Sequence, residues 1–187
     1  MITENEDFEK IDFSKQLLEK GEYENCRFLQ CNFSEVDLSH FKFIECSFES
    51  CNFSLTKTIK TGFQDIKFTD CKLLGMQFDQ CNSFLFSVCF SKCDLRLTSF
   101  YGIKSKNTRF VDCNLQEADF TQTDLTGSVF ENCDMQLCRF ENTILNKVDF
   151  STSYHFTINP EINYLSKTIF SKDGALGLLA NYDLIFK

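Results

Sequence analysis

Cys26-Arg27-Phe28-Leu29-Gln30, Cys31-Asn32-Phe33-Ser34-Glu35, Val36-Asp37-Leu38-Ser39-His40 and Phe41-Lys42-Phe43-Ile44-Glu45 are four consecutive blocks of five, each centred on a large apolar residue. Cys46-Ser47-Phe48 and Cys51-Asn52-Phe53 continue the pattern. A spacing of five fits neither the 3.6-residue period of a helix nor the two-residue period of a strand. It marks an internal repeat. A unit this short cannot bury its apolar side alone, so the blocks must stack on one another as a solenoid.

The period runs through most of the chain. Every fifth residue from Phe8 to Ser83 gives sixteen slots, fourteen of them Phe, Leu or Tyr; Thr58 and Ser83 are the exceptions. From Phe90 to Phe150 the slots resume in a register shifted by two, and twelve of thirteen are Phe, Leu or Met, Ser105 being the exception. Seventeen of the 23 Phe residues fall in these slots, where chance would place about four.

Blocks such as Ala118-Asp119-Phe120-Thr121-Gln122 and Thr123-Asp124-Leu125-Thr126-Gly127 resemble the unit of the pentapeptide-repeat family: a small residue, a polar residue, a central Leu or Phe, then two mostly polar residues. The resemblance covers roughly residues 21 to 155 and extends back toward Phe8. It implies an all-β fold, a right-handed quadrilateral β-helix with one block per side and a short C-terminal helix.

Twenty residues per coil can be checked within the chain. Phe28, Phe48 and Phe68 continue into Phe90, Phe110, Phe130 and Phe150, and Cys31, Cys51 and Cys71 into Cys93, Cys113 and Cys133. Both core ladders become continuous if two extra residues enter within 79–86. About seven coils at a spacing near 4.8 Å give a rod of about 30 to 35 Å. The expected division is an N-terminal cap or irregular first coil over 1–20, the repeat over 21–156 and a C-terminal cap over 157–187.

Ten of the eleven Cys stand two residues before a central slot, where the side chain points inward and serves as a small apolar filler. Pairs such as Cys26/Cys31 and Cys133/Cys138 reflect the repeat and lack the C-x2-C spacing of a metal site, so neither metal nor cofactor is expected. Cys89 is assigned an outward slot. Stacked thiols, no signal-like N-terminus and no long apolar run together predict a cytoplasmic protein that does not enter a membrane.

After Phe150 the period lapses. Asn159-Pro160-Glu161 reads as a turn, Ser171 or Asp173 as the cap of a short helix over 174–180, Asn181 as its left-handed end, and Tyr182 to Phe186 as a short strand. Leu176, Leu178, Leu179, Leu184, Ile185 and Phe186 form a candidate homodimer interface, the role the resemblance implies for C-terminal helices of this kind. The same segment also serves to cover the last coil's open edge.

Enzyme chemistry is not visible. His40 and His155 have no partner at a useful spacing, and no phosphate loop or nucleophile motif occurs. A net charge of -8 argues against direct nucleic-acid binding. Residues 1 to 50 hold twelve acids and five bases, leaving fifteen acids and fourteen bases elsewhere. Glu22, Glu24, Glu35, Asp37, Glu45 and Glu49 are the candidate acidic partner surface. Farther along, Glu49, Asp70, Asp112, Glu131 and Asp149 share a face with Arg27, Lys67, Lys92 and Arg109, a mixed surface of the kind solubility alone requires.

Ile158-Asn159-Pro160-Glu161-Ile162-Asn163 is similar to the ending of the microcin B17 immunity branch of the pentapeptide-repeat family, a gyrase-protecting group. That resemblance implies a DNA mimic that binds DNA gyrase or topoisomerase IV and protects against topoisomerase poisons. The alternative is a structural or interaction scaffold with another protein partner, for which Phe84, Phe86 and Tyr101 beside the insertion are the candidate apolar patch.

Overall fold

A computed structural model describes residues 1–182, 184 and 185. The repeat folds as a parallel β-solenoid with four faces per coil. The first face carries the row of Tyr23 and Phe43, the second that of Phe28 and Phe48, the third that of Phe33 and Phe53, and the fourth that of Leu38 and Phe78.

Regular strands form on two faces. On the first, β1 (Ile2–Glu4), β3 (Glu22–Glu24), β5 (Lys42–Ile44) and β7 (Gly62–Gln64) make a four-stranded parallel sheet. On the second, β2 (Asp7–Glu9), β4 (Arg27–Leu29), β6 (Ser47–Glu49), β8 (Ile66–Thr69), β9 (Val88–Ser91), β10 (Arg109–Val111) and β11 (Val129–Glu131) make a seven-stranded one. The other faces join by single bridges such as Asn32 to Asn52 and Asp119 to Arg139. Hydrogen bonds run coil to coil: Asn52 N donates to Cys31 O at 3.0 Å, and Phe33 N to Asn52 O at 2.7 Å.

Partners stand twenty positions apart up to Gly62 and Asn82, twenty-two apart for one coil from Ile66 and Val88 to Gln77 and Ser99, and twenty apart again from Cys89 and Arg109 onward. The two extra residues therefore enter between Asn82 and Val88, just after a 3-10 turn at Phe78–Gln80. Pairing also reaches past residues 21–156 at both ends. β1 and β2 give residues 2–9 regular partners, while Tyr164 and Ile169 bridge to Ile144 and Asp149. The second-face rings stack from Phe8 to Phe170 in steps of 4.6 to 5.6 Å. The rod is accordingly about 40 Å long, longer than the period alone predicts.

The interior is dry. Phe28, Phe48, Phe68, Phe90, Phe110, Phe130 and Phe150 are all buried, with edge-to-face contacts around each coil such as Phe48 to Phe53 at 5.0 Å. Each stacked or edge-on pair is worth about 0.5–1.5 kcal/mol beyond area burial.

Cys31, Cys51, Cys71, Cys93, Cys113 and Cys133 are buried as well. Their slot has a specific requirement: the side chain must be small and must satisfy a carbonyl of the preceding coil. Cys51 Sγ lies 3.3 Å from Phe28 O and Cys71 Sγ 3.3 Å from Phe48 O. Thr61, Thr123 and Ser153 donate to Leu38, Phe100 and Phe130 carbonyls in the same way at 2.6–2.8 Å. Thiol and hydroxyl are interchangeable there, as a packing role demands and a ligand role would not permit.

The corners are built from side chains. In the third-face row, Asn32, Asn52 and Asn114 Oδ1 accept the N–H two residues on at 3.0–3.1 Å, fixing the turn. The last residue of nearly every block is left-handed, from φ 50 at Asn25 to 65 at His40. Glycine relieves that strain at Gly75 (φ 70) and Gly127 (φ 75).

The last coil departs from the period. His155 lies at an outward corner at φ 62, and its Nδ1 meets Asp134 Oδ1 at 2.9 Å. Phe156 and Ile158 fill the core. A 3-10 helix at Gly174–Leu179 then closes this end, with Ser171 Oγ accepting from Gly174 N at 2.9 Å and Gly177 O accepting from Ile158 N at 3.2 Å. Gly177 packs on the Phe156 carbonyl so closely that no side chain fits. Two expectations fail in this segment. Asn181 is not left-handed, because Tyr182 N instead closes a turn onto Leu179 O. No strand forms at Tyr182, Leu184 and Ile185, since Leu184 N folds back onto Tyr182 O at 2.8 Å.

Candidate protein-binding surfaces

The six candidate carboxylates do not share one face. Glu22, Glu24 and Glu45 lie on the first face, Glu49 on the second, and Glu35 and Asp37 at the third and fourth. Two are neutralised: Lys42 Nζ is 3.0 Å from Glu22 Oε1, and Arg27 Nη2 is 2.9 Å from Glu49 Oε2. Serine donors hold Asp37 below the usual carboxylate range, its Oδ1 taking Ser39 N at 2.9 Å. With Glu35 it lines a groove of about 530 Å³ beneath Ser14 to Leu18.

The sequence reading named Glu24 and Glu45 but missed Glu4 and Asp65, which extend them along the first face. β1 and β3 place Glu4 directly in register with Glu24, and Glu45 and Asp65 occupy equivalent left-handed corner positions one coil apart. None of the ion pairs among the described residues involves these four carboxylates. Like charges directly opposite on adjacent strands destabilise a sheet, so this part of the first face is a standing source of negative potential. The twenty-residue offset between Glu4 and Glu24 was available as a signal.

The second face differs. Arg27 and Arg109 each pair diagonally with the acid one coil on, Glu49 and Glu131, at 2.9 and 3.2 Å. Cys89 lies in register between Lys67 and Arg109. Burial pushes its thiol up, against the pull of those two cations. It is half-buried rather than fully outward, and Cys81, expected inward, is half-buried too because the extra residues lift the chain just after it. Burial pushes the Cys46 and Cys81 thiols up to about 12, which makes them unreactive.

At the C-terminal end, Leu176, Leu184 and Ile185 are exposed, as are Tyr164, Ile169 and Tyr182. Leu178 instead packs against the core and Leu179 is half-buried. Phe186 lies outside the described residues. Phe84 is exposed beside the insertion, Tyr101 less so, and Phe86 turns inward against Phe78 at 6.0 Å.

Among the described residues no group of three or more His, Cys, Asp or Glu side chains is arranged to hold a metal ion. No helix among them is long and apolar enough to cross a membrane.

A parallel solenoid with one five-residue block per side, small inward donors and left-handed corners defines the class of the fold. The pentapeptide repeat region model matches residues 21–83 and 76–150, and the chain belongs to the pentapeptide-repeat family. No curated protein matches it. Among solved structures, full-length QnrB1, a plasmid-mediated fluoroquinolone resistance protein, is similar at 15% identity. That match covers 98% of this chain and 100% of that one, with a TM-score of 0.49. A trypsin-treated QnrB1 variant is 16% identical over 100% of both chains, with a TM-score of 0.46. HetL, a pentapeptide repeat protein involved in heterocyst differentiation regulation from the cyanobacterium Nostoc sp. strain PCC 7120, is 12% identical. It covers 90% of this chain and 87% of its own, with a TM-score of 0.38.

Proposed function

We propose that this chain is a non-enzymatic acidic rod that binds a type II topoisomerase, DNA gyrase or topoisomerase IV, in the groove that otherwise takes DNA, and so protects it from poisons. The observation that carries the reading is the uncompensated first-face grouping of Glu4, Glu24, Glu45 and Asp65. Stability is given up there for a negative potential that only a cationic partner relieves, and such a potential steers association with a basic groove. The resemblance of the Ile158–Asn163 ending points to the same partner class.

A homodimer through the exposed Leu176, Leu184 and Ile185 fits the proposal, because it places the acidic N-terminal coils at the far ends of a doubled rod. Dissolved thiols within the stack suit a reducing cytoplasm.

The test is gyrase supercoiling with purified protein titrated in, with and without a quinolone or microcin B17. Inhibition at low micromolar protein, or rescue from drug-stabilised cleavage, is expected. Both effects should weaken in a Glu24→Lys/Glu45→Lys variant. No effect with gyrase from the native host would remove the topoisomerase reading. The second reading, a scaffold for another protein partner, is favoured by exposed Phe84 and predicts that partner binding survives the charge reversal.

A further inference from the structure

Beneath the insertion, at the corner between the fourth and first faces, lies a cavity of about 400 Å³. That volume falls within the roughly 300–1,000 Å³ of small-molecule sites. Three independent features of the chain converge on it.

Gly62 forms part of its floor. The equivalent position is Lys42 one coil back and Asn82 one coil on. A Cβ at Gly62 would stand 3.2 Å from Lys42 Cγ, so the missing side chain keeps the floor open.

The two extra residues build the apolar wall. Asn82 Oδ1 accepts from Phe84 N at 3.0 Å and fixes the turn. Phe84 and Leu85 are then presented outward, 76% and 55% exposed, with Leu85 at φ 58. Leu85 shares its left-handed, exposed corner with Leu55, Leu97 and Leu137; what sets this wall apart is the exposed ring of Phe84 beside it.

Charge supplies the third feature. His40 and Lys60 occupy the same corner one coil apart, and Lys42 stands around the corner from them, tethered to Glu22. None of the ion pairs among the described residues involves Lys60. On a chain of net charge -8, an unpaired lysine beside a histidine on one cavity runs against the field of the whole molecule.

We propose that this cavity is a binding site for a small anion with an aromatic body, an aryl phosphate or aryl carboxylate. Lys60 and His40 hold the anionic group, Phe84 stacks on the ring, and Leu85 shields its edge. The site is separate from the acidic grouping proposed to meet a topoisomerase and stands or falls without it.

Phenyl phosphate titrated into the 15N-labelled full chain, followed by amide NMR shifts, tests the proposal. Saturable shifts confined to residues 40–42, 60–64 and 82–86 are expected. Binding should weaken about tenfold or more in Phe84→Ala and in Lys60→Glu, both exposed positions whose variants should keep the parent melting temperature. Inorganic phosphate should bind about tenfold more weakly than phenyl phosphate. Shifts absent up to the millimolar range would overturn the site. So would equal binding of the two phosphates with Phe84→Ala indifferent, since that describes anion condensation on surface lysines.

Discussion

The coils before Asn82 and those after Ser87 fill the same square interior with different residues. Before the insertion, rings occupy three faces per coil: Phe43, Phe48 and Phe53 meet edge to face, with Thr58 on the fourth side. After it, rings occupy two opposite faces, Phe110 and Phe120 at 6.0 Å and 87°, with Leu115 and Leu125 between them. The backbone register is twenty residues per coil in both halves. The cross-section therefore constrains total volume and leaves open which side supplies it, as cores generally permit. The charged surface divides more than a coil earlier, with nearly all the net charge in the first fifty residues.

That comparison can be broken deliberately. Phe110→Ala removes a ring stacked on both sides, at 5.2 Å from Phe90 and 4.6 Å from Phe130. It is expected to cost about 3–5 kcal/mol in urea unfolding, because the two-ring coil has no third aromatic to lean in. Leu115→Phe asks whether a two-ring coil accepts the three-ring solution. With Phe110 and Phe120 already in place it should be overpacked by about 1–3 kcal/mol, and a neutral result would show that the halves are interchangeable.

Acid distinguishes the surfaces rather than the cores. The guanidinium of Arg96 holds Asp94 below the usual carboxylate range, as Lys15 does for Asp12. A depressed folded-state value contributes stability that is present above the unfolded carboxylate value, near pH 4, and is lost as pH falls through the folded one. Urea midpoints should thus hold from neutral pH to about pH 4 and fall below it, less steeply in Asp94→Asn. The smallest expected effect is chemical: a thiol reagent on the native protein should modify Cys89 alone, the half-buried thiol in register between Lys67 and Arg109. Labelling of Cys51 or Cys113 without denaturant would mean that the stack opens.

Much of this was legible because a five-residue period is a geometric statement. It located the ladders of Phe28 and Cys31, their inward direction and the two-residue shift. It was silent where a residue's neighbour matters more than its slot. The period lapses after Phe150, so it did not show that Phe156 takes the interior, where the 3-10 helix sets Gly174 and Gly177 against its ring. Phe8 and Phe170 belong to the stack although the residues around them look irregular. The acidic surface was chosen by composition, so Glu22 was named without Lys42, which quenches it. Glu4, which faces Glu24 through strand register alone, was passed over.

Thr108 and Ser128 sit at equivalent corners one coil apart, both buried in the small inward slot. Excising the segment between them would join two positions that already share conformation, neighbours and polar satisfaction. The same holds for duplicating it. Length in this molecule is therefore a quantised, heritable trait, adjustable in increments of about 5 Å by copying or losing whole turns of coding sequence. The reach of the rod toward a partner can change without any residue in it learning a new environment.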